Sequence, residues 1–581
     1  MSEAESSQSK VESVKRSSDA LRGTIASSLA DSSTTSFTES DQTLLKFHGI
    51  YQQDDRDTRH GGAGKSYSMM IRVRIPGGKL TGPQWLALDR LADTYGHGAL
   101  RITTRQGVQY HGVAKGDLKG LIRDINATLL TTLNACGDVH RNVMAPPAPF
   151  ADDAHRAAQR LAEDLAAALS PATGAYCEIW LDGERAASTG DEEPFYGSQY
   201  LPRKFKTGVA LDIDNSVDIF TYDCGLIGLT RDGRIEGYNL VVGGGLGMTH
   251  NKADTIARIG TVIGYVEPAH AVDAVRTVAA IFRDHGNRAD RRHARLKYLL
   301  EEWGVERFVD EFTRRVTWRL APPAPMRSPR EHDHMGRHDQ GDGRQFYGVF
   351  VENGRVVDRD GVRYRSAFRA IVERLRPGVR LTPMQSILFT DLAPAAVDEL
   401  ETILREHGVP TIDELSNARR WSMACPALPT CGLALADSER VMPSVIDVIE
   451  REFTRLGIDD VPFTVRMTGC PNGCARPYNA DIAFVGRKPG IYHIYAGGGL
   501  GGDRLADLYA ADVPIERFVD ALRPLLDRYR AERRPDESIG DFYQRAIGAT
   551  APRRVITGKE SPTAHLVELR VNGQPPSGER S

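Results

Sequence analysis

Hydrophobic and polar positions follow two periods along this chain. Apolar residues recur at helical spacing over 83–95, 154–169, 365–376, 392–407, 437–456 and 515–532, which predicts amphipathic helices there. Alternation over 67–75, 207–214, 217–222, 346–351 and 479–485 predicts strands. The two kinds mix without a regular strand–helix alternation, so the pattern predicts an α+β fold and disfavours a doubly wound parallel sheet. Several strand patterns carry cations on one face. Arg72 and Arg74 alternate with Ile71, Val73 and Ile75. Arg101, Thr103 and Arg105 oppose Ile102, and Lys204 and Lys206 flank Phe205.

Two pairs of stretches echo each other. Arg101-Ile102-Thr103-Thr104-Arg105-Gln106 returns as Arg380-Leu381-Thr382-Pro383-Met384-Gln385, and Gly243-Gly244-Gly245-Leu246-Gly247 returns as Gly497-Gly498-Gly499-Leu500-Gly501. Two echoes in the same order predict duplication and fusion, hence a pseudo-twofold protein with its site between the halves.

Length and composition set the class. A chain of 581 residues divides into several domains. Hydrophobic residues make up 41% and charged residues 26%, as in globular proteins, and the formal net charge of −3 gives no broad attraction to nucleic acid or membrane. No apolar run is long enough for a membrane helix, and the Ser-rich start has no signal-peptide core, so the expected location is the cytoplasm. Residues 1–40 read as a mobile arm, 322–345 as a polar linker and 551–581 as an irregular tail.

The seven cysteines are unevenly placed. Cys136, Cys177 and Cys224 stand apart and read as core residues. Cys425 and Cys431, then Cys470 and Cys474 in Cys-Pro-Asn-Gly-Cys, fall within fifty residues. Four thiolates on two short loops suit an iron–sulfur cube. A structural zinc site is the rival, though the five-residue gap between Cys425 and Cys431 fits it poorly.

The segments ACPALPTC (424–431) and RMTGCPNGCARP (466–477) resemble the cluster motifs of the siroheme-dependent sulfite and nitrite reductases. The resemblance runs from RGTIA (22–26) and FHGIYQQDDRD (47–57) to about residue 547. Within that family, YQQDDRD, DEEPFYGSQYLPRKFKTG (191–208) and YNLVVGGGLG (238–247) look most like the haemoprotein component of the NADPH-dependent sulfite reductases. The resemblance implies Cys425, Cys431, Cys470 and Cys474 as ligands of a 4Fe–4S cluster, with Cys474 also the axial thiolate of siroheme. It implies Arg72, Arg141, Lys204 and Lys206 as the catalytic, sulfite-side cations. Arg101, Arg105, Gln109 and His111 become contacts to siroheme carboxylates, with a structural His111 the equal alternative. Siroheme is a polycarboxylate and sulfite a small dianion, so both call for several cationic donors.

The implied architecture is a ferredoxin-like half (41–135), a larger α/β half (136–321), a second ferredoxin-like half (346–412) and a second α/β half with the cysteines (413–550). The implied activity is six-electron reduction of sulfite to sulfide in sulfate assimilation and cysteine biosynthesis. Electrons would come from NADPH through a separate diflavin subunit. Ala475, where several NADPH-type components have Gly, leaves ferredoxin open as donor. A ferredoxin-dependent sulfite or nitrite reductase and a non-catalytic iron–sulfur carrier are the alternatives. Two glycine motifs read as decoys. In His60–Ser66 the first glycine of a phosphate loop is Arg59 instead, and Gly497-x-Gly499-x-x-Gly502 lacks the strand–helix context of a dinucleotide site.

Overall fold

The computed structural model describes residues 8–59, 64–172, 178–181, 184–188, 193–327, 332–548, 553–564 and 567. Residues 60–63 of the first glycine motif, and Cys177, lie outside them. The chain forms two compact units. One spans Met1–Gly244, Gly260–Arg327 and His334–Val409, the other Gly245–Ile259, Ser328–Asp333 and Pro410–Ser581.

The first unit holds a pair of antiparallel five-stranded sheets built reciprocally. One runs Ile50–Asp54, Tyr67–Val73, Val108–Val113, Leu100–Ile102 and ends on Arg355–Val356. The other runs Gly336–Asp339, Gln345–Val349, Ile387–Leu392, Gly378–Leu381 and ends on Lys79–Leu80. Each half thus lends an edge strand to the other, in registers Arg101↔Arg355 and Arg380↔Lys79. The repeated residues sit at this exchange. Buried Gln106 donates to Leu381 O at 3.0 Å, and buried Gln385 donates to Asn353 O at 3.2 Å. Gly78 and Gly354 lead into the lent strands at positive φ. A Cβ would lie 2.5 Å from Leu381 O at the first and 2.2 Å from Ile102 O at the second, so only glycine fits. Arg365 Nε bonds Asp89 Oδ1 at 2.8 Å, tying helix Tyr364–Leu375 to Gly82–Tyr95. One hydrophobic core, including Trp85, Ile102, Phe368 and Phe389, serves both sheets.

The same unit contains a four-stranded sheet in the order Thr261–Val266, Arg234–Val242, Cys224–Arg231, Thr207–Leu211, the last pair parallel. Helices Asp153–Ala168, Ala271–His285 and Leu296–Arg315 enclose its core. In the second unit Val465–Thr468, Ile482–Lys488, Ile491–Ala496 and Asp507–Pro514 repeat that succession in chain order, again with the two strands earliest in the chain parallel. Ser422–Ala424 adds a fifth strand, and Met442–Leu456 and Phe518–Glu532 supply the packing helices.

Four expectations are corrected. The alternation over 217–222 is a 3₁₀ turn, Ile219–Thr221, because Asp218 adopts φ 62° and Asn215 Oδ1 accepts from Ile219 N at 2.8 Å. The N-terminal arm contains helix Lys10–Arg16, whose Glu12 and Lys15 are fully buried as an ion pair at 2.6 Å. Gly336–Asp339 in the expected linker is an edge strand, with polar side chains that read as loop. In the tail, Val555–Thr557 pairs with Ile256–Arg258. Among the described residues no helix is long and apolar enough to cross a membrane.

Burial depresses several histidines, His48, His140 and His493 among them. Desolvation lowers His48 and His140, the latter helped by Arg74 and Arg105, and desolvation with Arg487 pushes His493 down to about 4. Above pH 6.5 these groups are neutral folded or unfolded. Below it the unfolded chain takes up protons that the folded chain refuses, so stability falls as pH drops toward 4. The thermal unfolding midpoint is therefore expected to fall steadily between pH 7 and pH 5. A flat midpoint across that window contradicts the assignment.

Candidate functional site

In the second unit the strand register delivers the cysteines. Ser422–Ala424 and Val465–Thr468 run parallel, so Cys425 and Cys470 follow from the same end of neighbouring strands. Cys425 N donates to Met467 O at 3.2 Å and Leu435 N to Gly469 O at 2.7 Å, which sews the two loops together. The thiol of Cys425 feels those of Cys474, Cys470 and Cys431, so all four predicted ligands share one locality. Burial, then Cys474, pushes the Cys470 thiol up to about 12. Donors already aim at sulfur: Gly469 N reaches Cys425 Sγ at 3.4 Å and Asn472 Nδ2 reaches Cys470 Sγ at 3.6 Å. Among the described residues no three His, Cys, Asp or Glu side chains converge as one metal ion requires. Four neighbouring thiols on two short loops suit a multi-iron cube. Cys431 and Cys474 retain solvent contact while Cys425 and Cys470 are buried.

The echoing glycine loops support chain turns. Met248 N donates to Pro471 O at 2.9 Å, and Gly247 packs on Asn472 of the Cys-Pro-Asn-Gly-Cys loop. Gly497 and Gly498 carbonyls accept from Arg504, and strand Asp507–Pro514 follows. A dinucleotide fingerprint needs a helix there.

The first unit gathers most of the predicted cations on three adjoining segments. Strand Tyr67–Val73 carries Arg72, whose Nη1 donates to Cys136 Sγ at 3.0 Å. Its Nε and Nη2 reach Gln109 Oε1 at 3.0 and 2.6 Å in the amide orientation that satisfies both groups. Gln109 is therefore a support for Arg72 in this structure. Residues 138–144 run parallel to 201–209: Phe205 N donates to Val139 O at 3.1 Å and Arg141 N to Phe205 O at 2.9 Å. Arg141 is buried, and its Nε and Nη1 donate to Gly137 O and Ala135 O at 2.8 and 3.1 Å, which shapes its own loop. Lys204 and Lys206 are half-buried on either side of buried Phe205, as the alternation predicts. Arg105 lies 4.7 Å over the Tyr222 ring and donates to Thr207 O at 3.2 Å, which brings it to these segments. Arg101 donates to Asn353 O at 3.1 Å at the strand exchange, and His111 Nδ1 meets Gln53 Oε1 at 3.1 Å.

Three neighbours escape sequence reasoning. Cys136, read as core, is buried but engages Arg72. Tyr51 lies among Cys136, Arg141, Arg72 and Arg203, and burial followed by Cys136 lifts its phenol above the ordinary value. Asn142 Nδ2 donates to Ile75 O and Arg105 O at 2.8 and 2.9 Å. An isolated cysteine, tyrosine or asparagine has no periodic signal. Only the proximity of Cys136 to Arg141 in the chain hints at this role.

The donor chemistry fits the implied groups. Thiols suit iron, and guanidinium and ammonium groups on paired segments suit carboxylates and oxyanions.

Comparison with known proteins agrees. Residues 163–320 and 416–558 match the nitrite and sulphite reductase 4Fe-4S domain, and residues 62–128 and 338–407 match the nitrite/sulfite reductase ferredoxin-like half domain. Each matches twice, in keeping with the internal echoes. The chain is 44% identical over 542 residues to a sulfite reductase (NADPH) hemoprotein beta-component of Staphylococcus saprophyticus, covering 92% of this chain and 95% of that protein. It is 43% identical to a sulfite reductase (ferredoxin) of Synechococcus elongatus, covering 94% and 90%. In fold it is similar to the NirA protein of Mycobacterium tuberculosis, with TM-score 0.74 at 24% identity over 92% of this chain and 96% of that one.

Proposed function

This chain belongs to the nitrite and sulphite reductase family, and from that premise we propose that it is the haem-bearing subunit of an assimilatory sulfite reductase. The observation that carries the reading is the convergence of Cys425, Cys431, Cys470 and Cys474 on one locality. Those four thiolates would hold the 4Fe–4S cluster, with Cys474 the shared ligand to siroheme. When bound, these groups would relay, one at a time, the donor's electrons that take sulfur from sulfite to sulfide.

The chain's own residues bind and orient the anion. Arg72 is fixed by Gln109 and Cys136, so its planar face is set before an anion arrives. Arg141 is fixed by the carbonyls of its loop. Lys204 and Lys206 are half-buried ammonium groups, able to pair with oxyanion oxygens and to donate protons to them. Arg101, Arg105 and His111 are assigned to cofactor carboxylates, while Gln109 acts on the sulfite side by holding Arg72.

The expected donor is NADPH through a separate diflavin subunit, a reading supported by the names of relatives such as the Staphylococcus protein. A hydride donor gives electron pairs and a cluster accepts single electrons, so a flavin must intervene. Purified chain is expected to reduce sulfite with chemically reduced viologen and to fail with NADPH. Adding the flavoprotein restores NADPH activity. Restoration by reduced ferredoxin alone would instead favour the kind of donor named for the Synechococcus relative. A chain carrying both cofactors that reduces nitrite but not sulfite would sink the sulfite assignment.

A further inference from the structure

Behind the basic segments lies one carboxylate that joins them. Asp138 is buried, two residues after Cys136 and three before Arg141. Arg291 grips it with both terminal nitrogens, Nη1 to Oδ2 at 2.8 Å and Nη2 to Oδ1 at 3.2 Å. Arg203, next to Lys204, stands 3.7 Å from Oδ1, and Lys15 of the N-terminal helix stands 3.7 Å from Oδ2. Lys15 also donates to Leu201 O at 2.9 Å, while Leu201 N donates to Asp138 O at 3.0 Å. Glu12 pairs with Lys15 and with Arg288 at 2.6 Å each. Burial alone would raise the Asp138 carboxyl, yet Lys15, Arg291 and Arg203 hold it well below the ordinary carboxylate range.

The arrangement has a direction. Arg203 is an electrostatic neighbour of Tyr51, as are Arg72 and Arg141. Segments this rich in cations repel one another unless an anion sits among them. Asp138 supplies that anion from the side of Lys15 and Arg291.

We infer that Asp138 is a positioning residue for the substrate anion, holding the Arg141 and Lys204–Lys206 segments together through Arg203, Arg291 and Lys15. This rests on the reading of those cations as the sulfite-binding groups. It also gives the N-terminal helix a task, since Lys15 is one of the three anchors.

The sign of the effect separates positioning from plain charge. Removing a carboxylate makes the region more positive, which by charge alone tightens anion binding. Loss of positioning weakens it. Asp138→Asn is therefore expected to raise the dissociation constant for sulfite, measured by calorimetry on the cofactor-loaded protein, on the order of tenfold. The absorption spectrum should stay that of the parent. An unchanged or lowered constant overturns the inference. Asn at this buried site leaves cations facing each other, and the variant can fail to fold. Arg291→Lys keeps the charge and removes the planar fork, at a side chain about a quarter exposed (27%). It should weaken sulfite binding several-fold, roughly the lower part of the range for supporting residues. Unaltered affinity in Arg291→Lys also overturns the inference. Wild-type protein that binds sulfite without reducing it sinks the reductase reading, while the affinities of the variants still decide the role of Asp138. Wild-type protein that does not bind sulfite sinks both.

Discussion

Cys474→Ser is expected to abolish sulfite reduction and to remove the parent absorption spectrum, while the fold survives. The side chain is exposed, so the loss of sulfur removes almost no packing. Its three sulfur neighbours remain in place, held by the backbone pairing that joins Ser422–Ala424 to Val465–Thr468. What changes is the donor. A serine hydroxyl is far less acidic than a thiol and a harder ligand, so it does not replace a thiolate on iron. Circular dichroism and a thermal midpoint near wild type, together with a lost chromophore and no turnover, are the expected results. Full turnover by the serine variant would remove Cys474 from the ligand set. Cys224→Ser is the control, since Cys224 is a buried thiol raised by its own burial and by Asp223. That variant should cost stability and leave the chromophore alone.

Arg141→Ala and Lys206→Ala form the second large expectation. Each should lower kcat/KM for sulfite on the order of 10²–10³-fold, the usual loss when a preorganised donor to a developing charge is removed. Their structural surroundings differ, and the side effects should follow. Arg141 also braces Gly137 O and Ala135 O from a buried position, so its alanine variant should lose stability as well as rate. Lys206 is half-buried and its backbone N–H is held by Asp223 Oδ2 at 2.9 Å, so its alanine variant should stay near wild-type stability. Lys206→Arg should also be impaired, because a planar fork does not replace a compact ammonium. Wild-type kcat/KM in both alanine variants, with the parent spectrum, would reduce the basic cluster to a structural feature.

The alternation around Phe205 and along Tyr67–Val73 carried enough information to place Lys204, Lys206 and Arg72 on their faces, because strand geometry is local. The clustered cysteines were legible for the same reason, two short loops each holding a pair. The 279-residue echo revealed duplication, but Gln106 says nothing by itself of Leu381 O in the opposite half, nor Gln385 of Asn353 O just before the strand lent to that half. Long-range partners stay hidden in the same way elsewhere. Glu12 and Lys15 look like a solvated helix face until Asp138 and Arg288 are supplied. At 217–222 the pattern misled, because Asn215 and Asp218 trade extended backbone for a local side-chain turn that alternation does not register.

The reciprocal edge strands bear on how the chain is made in a ribosome-bound state. Leu100–Ile102 must wait for Arg355–Val356, so at usual translation speeds its outer edge stays open for roughly 10–50 seconds after it emerges. Lys79–Leu80 waits longer, until Gly378–Leu381 has been synthesised. A nascent first half therefore presents an incomplete sheet and half of a shared apolar core. Such an intermediate invites pairing with the wrong chain, and pairing between two nascent copies of this protein would use the same registers as the native exchange. Chaperone protection during this interval, rather than the stability of the finished molecule, becomes the condition for a good yield.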